Sequence, residues 1–115
     1  MPYEMLDAGT HYAVRAFGEI AAAEMLTPQE LDAVCQRRRL LVDFTEMTEW
    51  RIDPQGLWPL HQVFREHAVR VAACAPRSWQ WGVVRQAWLV TGFPEGTLAN
   101  VFDNLDAALE WLLSA

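Results

Sequence analysis

Acidic side chains form the densest group of potentially reactive residues in the sequence. Glu46, Glu49 and Asp53 lie in one short segment, and Asp43 stands just before it. Two carboxylates that share a cleft can divide the roles of general acid and general base if their environment raises the pKa of one. A solvated acidic loop accounts for the same pattern. A small acid/base enzyme that uses Asp43, Asp53 or a neighbouring glutamate therefore stays as the alternative interpretation.

The histidines and cysteines show no spacing that is typical of a metal site. They are spread along the chain, at His11, Cys35, His61, His67 and Cys74. No histidine pair has the i, i+4 spacing of a helical metal site, and no CxxC motif is present. Two isolated cysteines indicate buried free thiols in a reducing compartment. Neither serine lies in a GxSxG motif, so we expect no metal, no cofactor and no catalytic nucleophile.

The basic residues of the sequence exclude several further classes of protein. All nine are arginines, because the sequence contains no lysine. A Schiff-base lysine, a pyridoxal phosphate anchor and a Walker-type loop each need that amine at a defined position. A net charge of −6 opposes the phosphate neutralisation on which nucleic-acid binding depends. Nucleic acid is therefore not an expected partner.

Tryptophan is the most informative residue type, with six in 115 residues. Four of them follow two predicted parallel strands, where loops emerge at the carboxyl edge of the sheet: Trp50, Trp58, Trp79 and Trp81. Ligands usually bind at that edge in open α/β folds, and aromatic side chains there could line an apolar pocket or anchor a protein interface. Trp81, Trp88 and Trp111 also fit the buried stripes of two helices. For Trp50 and Trp58 the pocket and core interpretations both stay open.

The first half of the chain predicts a strand, a helix and a second strand. Apolar and polar side chains alternate over residues 11–20, as they do in a strand, and Ala21 to Ala23 would connect this strand to the helix. Thr27, Pro28 and Glu30 form a capping box with proline at the first helical position. Three arginines, 37–39, complement the end of that helix, although an anion site is the sharper alternative. Residues 40–44 form a short apolar run that predicts a central strand.

Two prolines complicate the next helix. Asp53 and Pro54 resemble a helix start, yet Pro59 would remove a helical hydrogen bond. We expect the main helix to run from about Trp58 to His67. Residues 45–57 would then form an unusually long connection.

The second half of the chain continues the alternation. A buried strand over 69–75 precedes a helix over about 79–90, which Ser78 could cap and Gly92 would end. A last strand over 97–102 leads to a final helix capped by Asp103 or Asn104. The predicted fold is one α/β domain over 1–115. Its mixed, mostly parallel sheet has four to five strands and about four helices.

This pattern resembles the STAS family, named for sulfate transporters and anti-sigma factor antagonists. The resemblance covers about residues 11–113. Within the family, the sequence is most similar to the stand-alone SpoIIAA-like branch, which is sometimes grouped with lipid-binding Sec14-type domains. Its strongest pieces are the LVDFT run at 41–45 and the closing VFD and AALEWL runs at 101–103 and 107–112. These are mostly core and capping residues, so the resemblance implies the fold more than a function.

One position of the family's motif departs from the pattern. The regulatory serine of phospho-switch members lies in an Asp-Ser-Ser-Gly-Leu run, and the matching run here is 53–57, DPQGL. Proline and glutamine cannot accept a phosphoryl group, so we expect the kinase-controlled switch to be absent.

The sequence therefore predicts a non-enzymatic binding or regulatory module. Its expected partner is a protein or a small apolar ligand, and homodimerisation is possible. The candidate binding residues follow the central strands: Asp43, Thr45, Trp50, Asp53, Gln55, Trp58, Trp79 and Trp81. The amino terminus lacks a secretory signal pattern and no segment is apolar enough for a membrane span, so a cytoplasmic location is expected.

Overall fold

A computed structural model describes residues 3–21 and 26–114 of the chain. Nine elements follow one another: β1 Tyr3–Asp7, β2 Tyr12–Ile20, α1 Pro28–Arg37, β3 Arg39–Trp50, α2 Pro54–Glu66, β4 Arg70–Cys74, α3 Ser78–Thr91, β5 Ala99–Phe102 and α4 Leu105–Leu113. Most of the connection predicted at Ala21 to Ala23 lies outside the described residues. The expected α/β class is confirmed.

The five strands form one mixed sheet in the order β1-β2-β3-β4-β5. β1 is antiparallel to β2, and every other neighbouring pair is parallel. Each crossover advances by one strand in the same direction, so right-handed connections place α1, α2 and α3 on one face. The main core contains Val34, Phe64 and Trp88 from these three helices. α4 packs on the opposite face through Ala108 and Leu112.

The strand β1 is absent from the sequence-based prediction. It pairs with β2 from Tyr3↔Ala16 to Asp7↔Tyr12, and Tyr3 is buried. The remaining side chains of β1 are exposed or half-buried. A short edge strand with one buried residue has little periodicity, which explains why the pattern did not indicate it.

The strand β3 is much longer than predicted. It continues to Trp50 and pairs with β2 as far as Ile20↔Trp50, with a bulge beyond Asp43. The expected long connection over 45–57 is therefore wrong, because only residues 51–53 join β3 to α2. The bulge shifts the alternation, so that Phe44 and Met47 are both buried.

The helix α2 begins at Pro54, not near Trp58. Asp53 is its N-cap, and Pro59 lies inside the helix. A proline at this position removes one bond, to the carbonyl of Gln55. Both residues are exposed, so water can satisfy that carbonyl. A stripe of buried and half-buried residues over about two turns outweighs the lost bond, at Leu57, Leu60, His61 and Phe64.

The other helix termini follow the sequence closely. The capping box of α1 is present at Thr27 and Glu30, and Gly92 ends α3 with a φ of 73°. Arg77, not Ser78, is the N-cap of α3, and Asn104 caps α4. β5 begins at Ala99, two residues later than predicted.

Candidate functional site

The predicted site residues do not converge on one place. Asp43 lies on β3 with its side chain on the face that carries α4, as the strand alternation from Leu41 requires. Its Oδ1 accepts hydrogen bonds from the backbone N–H and the hydroxyl of exposed Thr45. That hydroxyl also lies 3.9 Å from the sulfur of Cys74, whose pKa is raised by burial. Asp43, Thr45 and Cys74 therefore form a set of local contacts around a buried, neutral thiol.

The other carboxylates named from the sequence have separate structural partners. Asp53 accepts the backbone N–H of Gln55 at 3.1 Å and so caps α2. Glu46 pairs with Arg15 across the β2–β3 boundary, and Glu49 pairs with Arg51 at 3.0 Å. None of these side chains lines a cavity together with another. No arrangement for shared acid/base work is formed by them.

The four tryptophans expected at the carboxyl edge of the sheet lie within elements. Trp50 ends β3, because that strand extends further than the sequence indicated. Trp58 lies inside α2, which begins earlier than predicted, and Trp79 and Trp81 lie in α3, where a helix was predicted. Trp58 is 52% exposed and Trp79 is 39% exposed. Trp81 packs half-buried against the main core. The tryptophans therefore do not form one aromatic cluster at the sheet edge.

The helix-stripe interpretation holds for the two remaining tryptophans. Trp88 is buried in the main core, and Trp111 packs against the smaller core under α4. The guanidinium of Arg70 also stacks on the indole of Trp111, 4.2 Å from the ring centroid. Both are structural residues of their helices.

Trp50 is the one predicted site residue that lines an internal cavity. The cavity has a volume of about 80 Å³ and lies between the sheet and helices α2 and α3. Trp50 packs edge-to-face on Phe44 with ring centroids 5.9 Å apart. The lining comprises Tyr3, Val14, Ala16, Ile20, Leu26, Leu40, Val42, Phe44, Trp50, Leu57, Leu60, His61, Phe64, Val71, Ala73, Val84, Ala87 and Trp88.

Small side chains create this space. Ala16, Ala73 and Ala87 come from β2, β4 and α3 and all point into the cavity. Larger residues at these positions would fill the layer between sheet and helices to ordinary packing density. Among the described residues that line the cavity, none is an Arg, Asp or Glu. The site is consequently apolar and suited to neutral groups.

His61 is one of the titratable side chains in the cavity wall. Its Nδ1 shares a 2.7 Å hydrogen bond with the hydroxyl of Thr91, and its ring stacks on Phe93 with centroids 5.0 Å apart. Burial lowers the pKa of His61 to about 4, so the imidazole is neutral at physiological pH. A neutral histidine held between two helices is rigid and keeps one nitrogen lone pair.

Tyr3 is the other lining residue with a polar group that titrates. Its hydroxyl donates a 2.6 Å hydrogen bond to Glu30 of α1, which fastens the edge strand to that helix. Burial, with the adjacent carboxylate, raises the pKa of Tyr3 to about 12. The phenol is therefore a neutral, already occupied donor.

Sequence reasoning did not select His61. It considered this histidine only as a metal ligand, and among the described residues no group of three His, Cys, Asp or Glu side chains could hold a metal ion. The available signal was its place in the apolar stripe with Leu57, Leu60 and Phe64. A polar residue at a core position of a helix calls for a specific partner, here Thr91.

A five-stranded mixed sheet, with three helices on one face and a fourth on the other, defines an α/β protein of the SpoIIAA-like fold. The chain belongs to the SpoIIAA-like family, which matches residues 11–113. The STAS-type resemblance of the sequence is thereby confirmed.

Among solved structures, the chain is similar to an uncharacterised protein of the DUF3478 family from Shewanella loihica PV-4, which has a SpoIIAA-like fold. The two are 17% identical over 96% of this chain and 91% of that chain, with a TM-score of 0.52. At this identity the likeness shows the fold alone. A comparison with curated proteins finds no match. Within the described part of the chain, no helix has the length and apolar character needed to cross a membrane.

Proposed function

We propose that this protein is a non-enzymatic binding module that takes a small apolar molecule into the cavity between the sheet and helices α2 and α3. The observation that carries this proposal is the cavity itself, with its volume of about 80 Å³ and its uncharged lining. Reversible occupation would change the packing of α2 and α3 and so could report the ligand to other proteins. The buried free thiols of Cys35 and Cys74 are consistent with action in the cytoplasm.

The cavity favours an apolar occupant over water. Its volume is several times the ~10–15 Å³ that one water molecule needs, but a buried water also needs two to four polar partners. The aliphatic and aromatic lining offers few of these. An apolar guest would bury its own surface and restore contacts that the lining residues lack.

Access to the cavity is possible from one side. Leu26, Trp50 and Leu60 belong to the lining and remain half-exposed, whereas most other lining residues are buried. The cavity therefore approaches the surface where the end of β3 faces α2. Movement of these three side chains would open a path without unfolding an element.

The test is a titration of the purified protein with toluene, followed by tryptophan fluorescence and by thermal unfolding. Trp50 and Trp88 both line the cavity and should report an occupant. At ten times Kd, the ligand should add about 1.4 kcal/mol to the free energy of unfolding. The Tm should then rise by several degrees.

Two neighbouring alanines of β4 give a matched pair of variants. Ala73 lines the cavity, whereas Ala72 is equally buried on the opposite face beneath α4. Ala73→Ile should fill the space and abolish the response to toluene, and Ala72→Val should retain it. An unchanged Tm of the wild-type protein near toluene saturation would refute the proposal.

A surface groove supports a second candidate, self-association through α2 and α3. Gln55, Trp58, Pro59 and Val90 line this groove, and Trp58 and Val90 are more than half exposed. Exposed aromatic and aliphatic residues at one place are typical of interfaces. Sedimentation velocity should show a concentration-dependent dimer that Trp58→Arg abolishes. Monomeric wild-type protein at all concentrations would exclude this second candidate.

A further inference from the structure

We propose that a phosphate-type oxyanion binds between Arg39 and Arg70, on the sheet face that carries α4. This place is on the opposite side of the sheet from the cavity, so the proposed oxyanion site is independent of the proposed function. Arg39 belongs to the three consecutive arginines at 37–39, for which the sequence left a helix-end role and an anion site open.

The structure gives the three arginines different surroundings. Arg37 donates to the carboxylate of Asp7 at 2.8 Å and to the carbonyl oxygen of Gly9 at 2.7 Å. Arg38 is exposed and ends α1 in the left-handed conformation, with a φ of 64°. Arg39 begins β3 and is half-buried, and no carboxylate of the described residues lies within ion-pair distance of it. An anion would therefore find an uncommitted charge at Arg39.

Arg39 lies directly beside a second arginine. It is the Cα partner of Arg70 in the parallel pair β3–β4, and neighbouring strands are about 4.8 Å apart. Each arginine precedes by two positions a residue of the smaller core, Leu41 or Ala72, so both side chains lie on the face that carries α4. Two positive charges this close repel each other, and neither has a carboxylate partner within the described part of the chain. An oxyanion between them would offset this repulsion.

Arg70 also has a hydrogen-bond donor without an acceptor. Its terminal nitrogens donate to the carbonyl oxygens of Trp111 and Ser114. Its Nε is buried and has no hydrogen-bond partner, and it is the one buried side-chain nitrogen or oxygen of the described residues in this state. A buried donor without an acceptor is costly, and guanidinium donors form their strongest hydrogen bonds with oxyanions. An oxyanion between Arg39 and Arg70 would supply the missing acceptor.

The neighbour of Arg39 on the β2 side adds no further charge. His11 directly precedes Tyr12, whose strand partner Leu40 directly follows Arg39, so His11 and Arg39 lie side by side at this end of the sheet. Burial, together with the positive charges of Arg37 and Arg39, lowers the pKa of His11. The imidazole is therefore neutral at pH 7, and the two guanidinium groups set the charge of the ligand.

The ligand class follows from those two guanidinium groups. Their planar donor pairs match the oxygen pairs of phosphate and carboxylate groups. A phosphate group carries a charge of about −1.5 to −2 near pH 7, which balances two guanidinium groups better than the single charge of a carboxylate does. A free phosphate ion and a phosphate monoester share this chemistry.

The test is a calorimetric titration of the purified protein with inorganic phosphate in a low-salt buffer. Arg39→Gln should weaken binding at least tenfold, because it removes charge-assisted hydrogen bonds. Arg65→Gln is the matched control and should bind phosphate as the wild-type protein does. It makes the same change in net charge at an exposed position of α2, on the other face of the sheet.

Two further ligands define the class and the source of the anion. Acetate should bind the wild-type protein at least tenfold more weakly than phosphate, and equal affinities would contradict a site for a doubly charged group. Glycerol phosphate distinguishes the two sources. Affinity equal to that of inorganic phosphate would support a site for a monoester, and weaker affinity would support a site for the free ion.

A spectroscopic measurement on the wild-type protein keeps the proposal testable if Arg39→Gln does not fold. With ¹⁵N-labelled arginine, phosphate should shift the Nε resonances of Arg39 and Arg70 and leave that of Arg65 unchanged. A wild-type Kd weaker than ~10 mM, equal losses in the Arg39 and Arg65 variants, or unchanged Arg39 and Arg70 resonances would each overturn the proposal. None of these results would affect the binding of toluene in the cavity, so the oxyanion site and the proposed function fail separately.

Discussion

The side-chain amide of Gln80 donates a 2.9 Å hydrogen bond to the carbonyl oxygen of Phe44. The same nitrogen lies 3.0 Å from the carbonyl oxygen of Met47, and Gln80 is completely buried. Among the described residues, no strand pairs with β3 on the β4 side beyond the pair Asp43↔Cys74. Gln80 thus takes the place of the missing strand and lets β3 continue to the cavity.

Replacing Gln80 with leucine should strongly destabilise the protein. The change keeps a similar volume but leaves the carbonyls of Phe44 and Met47 without their donor. At ~1–3 kcal/mol for each buried unsatisfied group, the free energy of unfolding should fall by about 3 kcal/mol. Urea unfolding measures this change. Gln86→Leu, at an exposed position of the same helix, should have little effect, and a similar loss in both variants would contradict the role of Gln80.

Stability should fall in mild acid because of His61. Its pKa is about 4 in the folded protein and near 6.5 when unfolded, so the unfolded chain binds the proton more readily. The contribution of neutral His61 is complete above pH 6.5 and declines by ~1.4 kcal/mol per pH unit between pH 6.5 and 4. Below pH 4 the loss should level off.

The measurement is the free energy of unfolding against pH for the wild-type protein and His61→Leu. The difference between the two curves isolates His61 from other groups that titrate at lower pH. These include Asp7 and Glu30, whose pKa values are lowered by hydrogen bonds from Arg37 and Tyr3 respectively. A difference curve that stays flat between pH 6.5 and 4 would show that His61 is not buried as described.

Local signals predicted much of the fold. The capping box at Thr27, the αL position of Gly92 and the apolar run of β4 each depend on a few adjacent residues, and each is present in the structure. The extent of β3 could not be predicted in this way. Residues 45–50 are mostly polar, and they form a strand because β2 pairs with them on one side and Gln80 bonds to them on the other.

The candidate site was less predictable than the fold for a related reason. Its walls come from four strands and two helices, and the space depends on three alanines that are distant in sequence, Ala16, Ala73 and Ala87. Alanine in a strand or helix carries no signal of a cavity. Trp50 was selected because of its residue type, and its position on the cavity wall follows from the strand extension that the sequence did not reveal.

The capping box of α1 should contribute measurably to stability. Thr27 accepts the backbone N–H of Glu30 at 3.2 Å, and the carboxylate of Glu30 accepts the backbone N–H of Thr27 at 2.9 Å. Thr27→Ala should lower the free energy of unfolding by ~1 kcal/mol. Gln29→Ala, in the same exposed turn, is the control and should change it by less than half as much in a urea titration. Equal effects of the two substitutions would argue against the cap.

The local stability of the carboxyl-terminal end of α4 should depend on Arg70. Its guanidinium donates to the carbonyl oxygens of Trp111 at 2.8 Å and Ser114 at 2.6 Å, and it stacks on the Trp111 ring. These bonds satisfy acceptors that the end of a helix leaves open and place a positive charge near the negative end of the helix dipole.

Arg70→Leu should therefore fray α4 before it unfolds the sheet. Hydrogen exchange of amides in the last turn of α4 should accelerate at least tenfold, which corresponds to a local loss of ~1.4 kcal/mol. Arg70→Lys should give an intermediate rate, because an ammonium group keeps the charge but loses the planar, bidentate geometry and most of the stacking. Arg85→Leu, which removes an exposed pair with Glu95, is the control and should leave these amides unchanged. No acceleration in the Arg70 variant would mean that the core contacts of Ala108 and Leu112 hold α4 without Arg70. Equal acceleration in the Arg70 and Arg85 variants would mean that the effect is not specific to the contacts of Arg70.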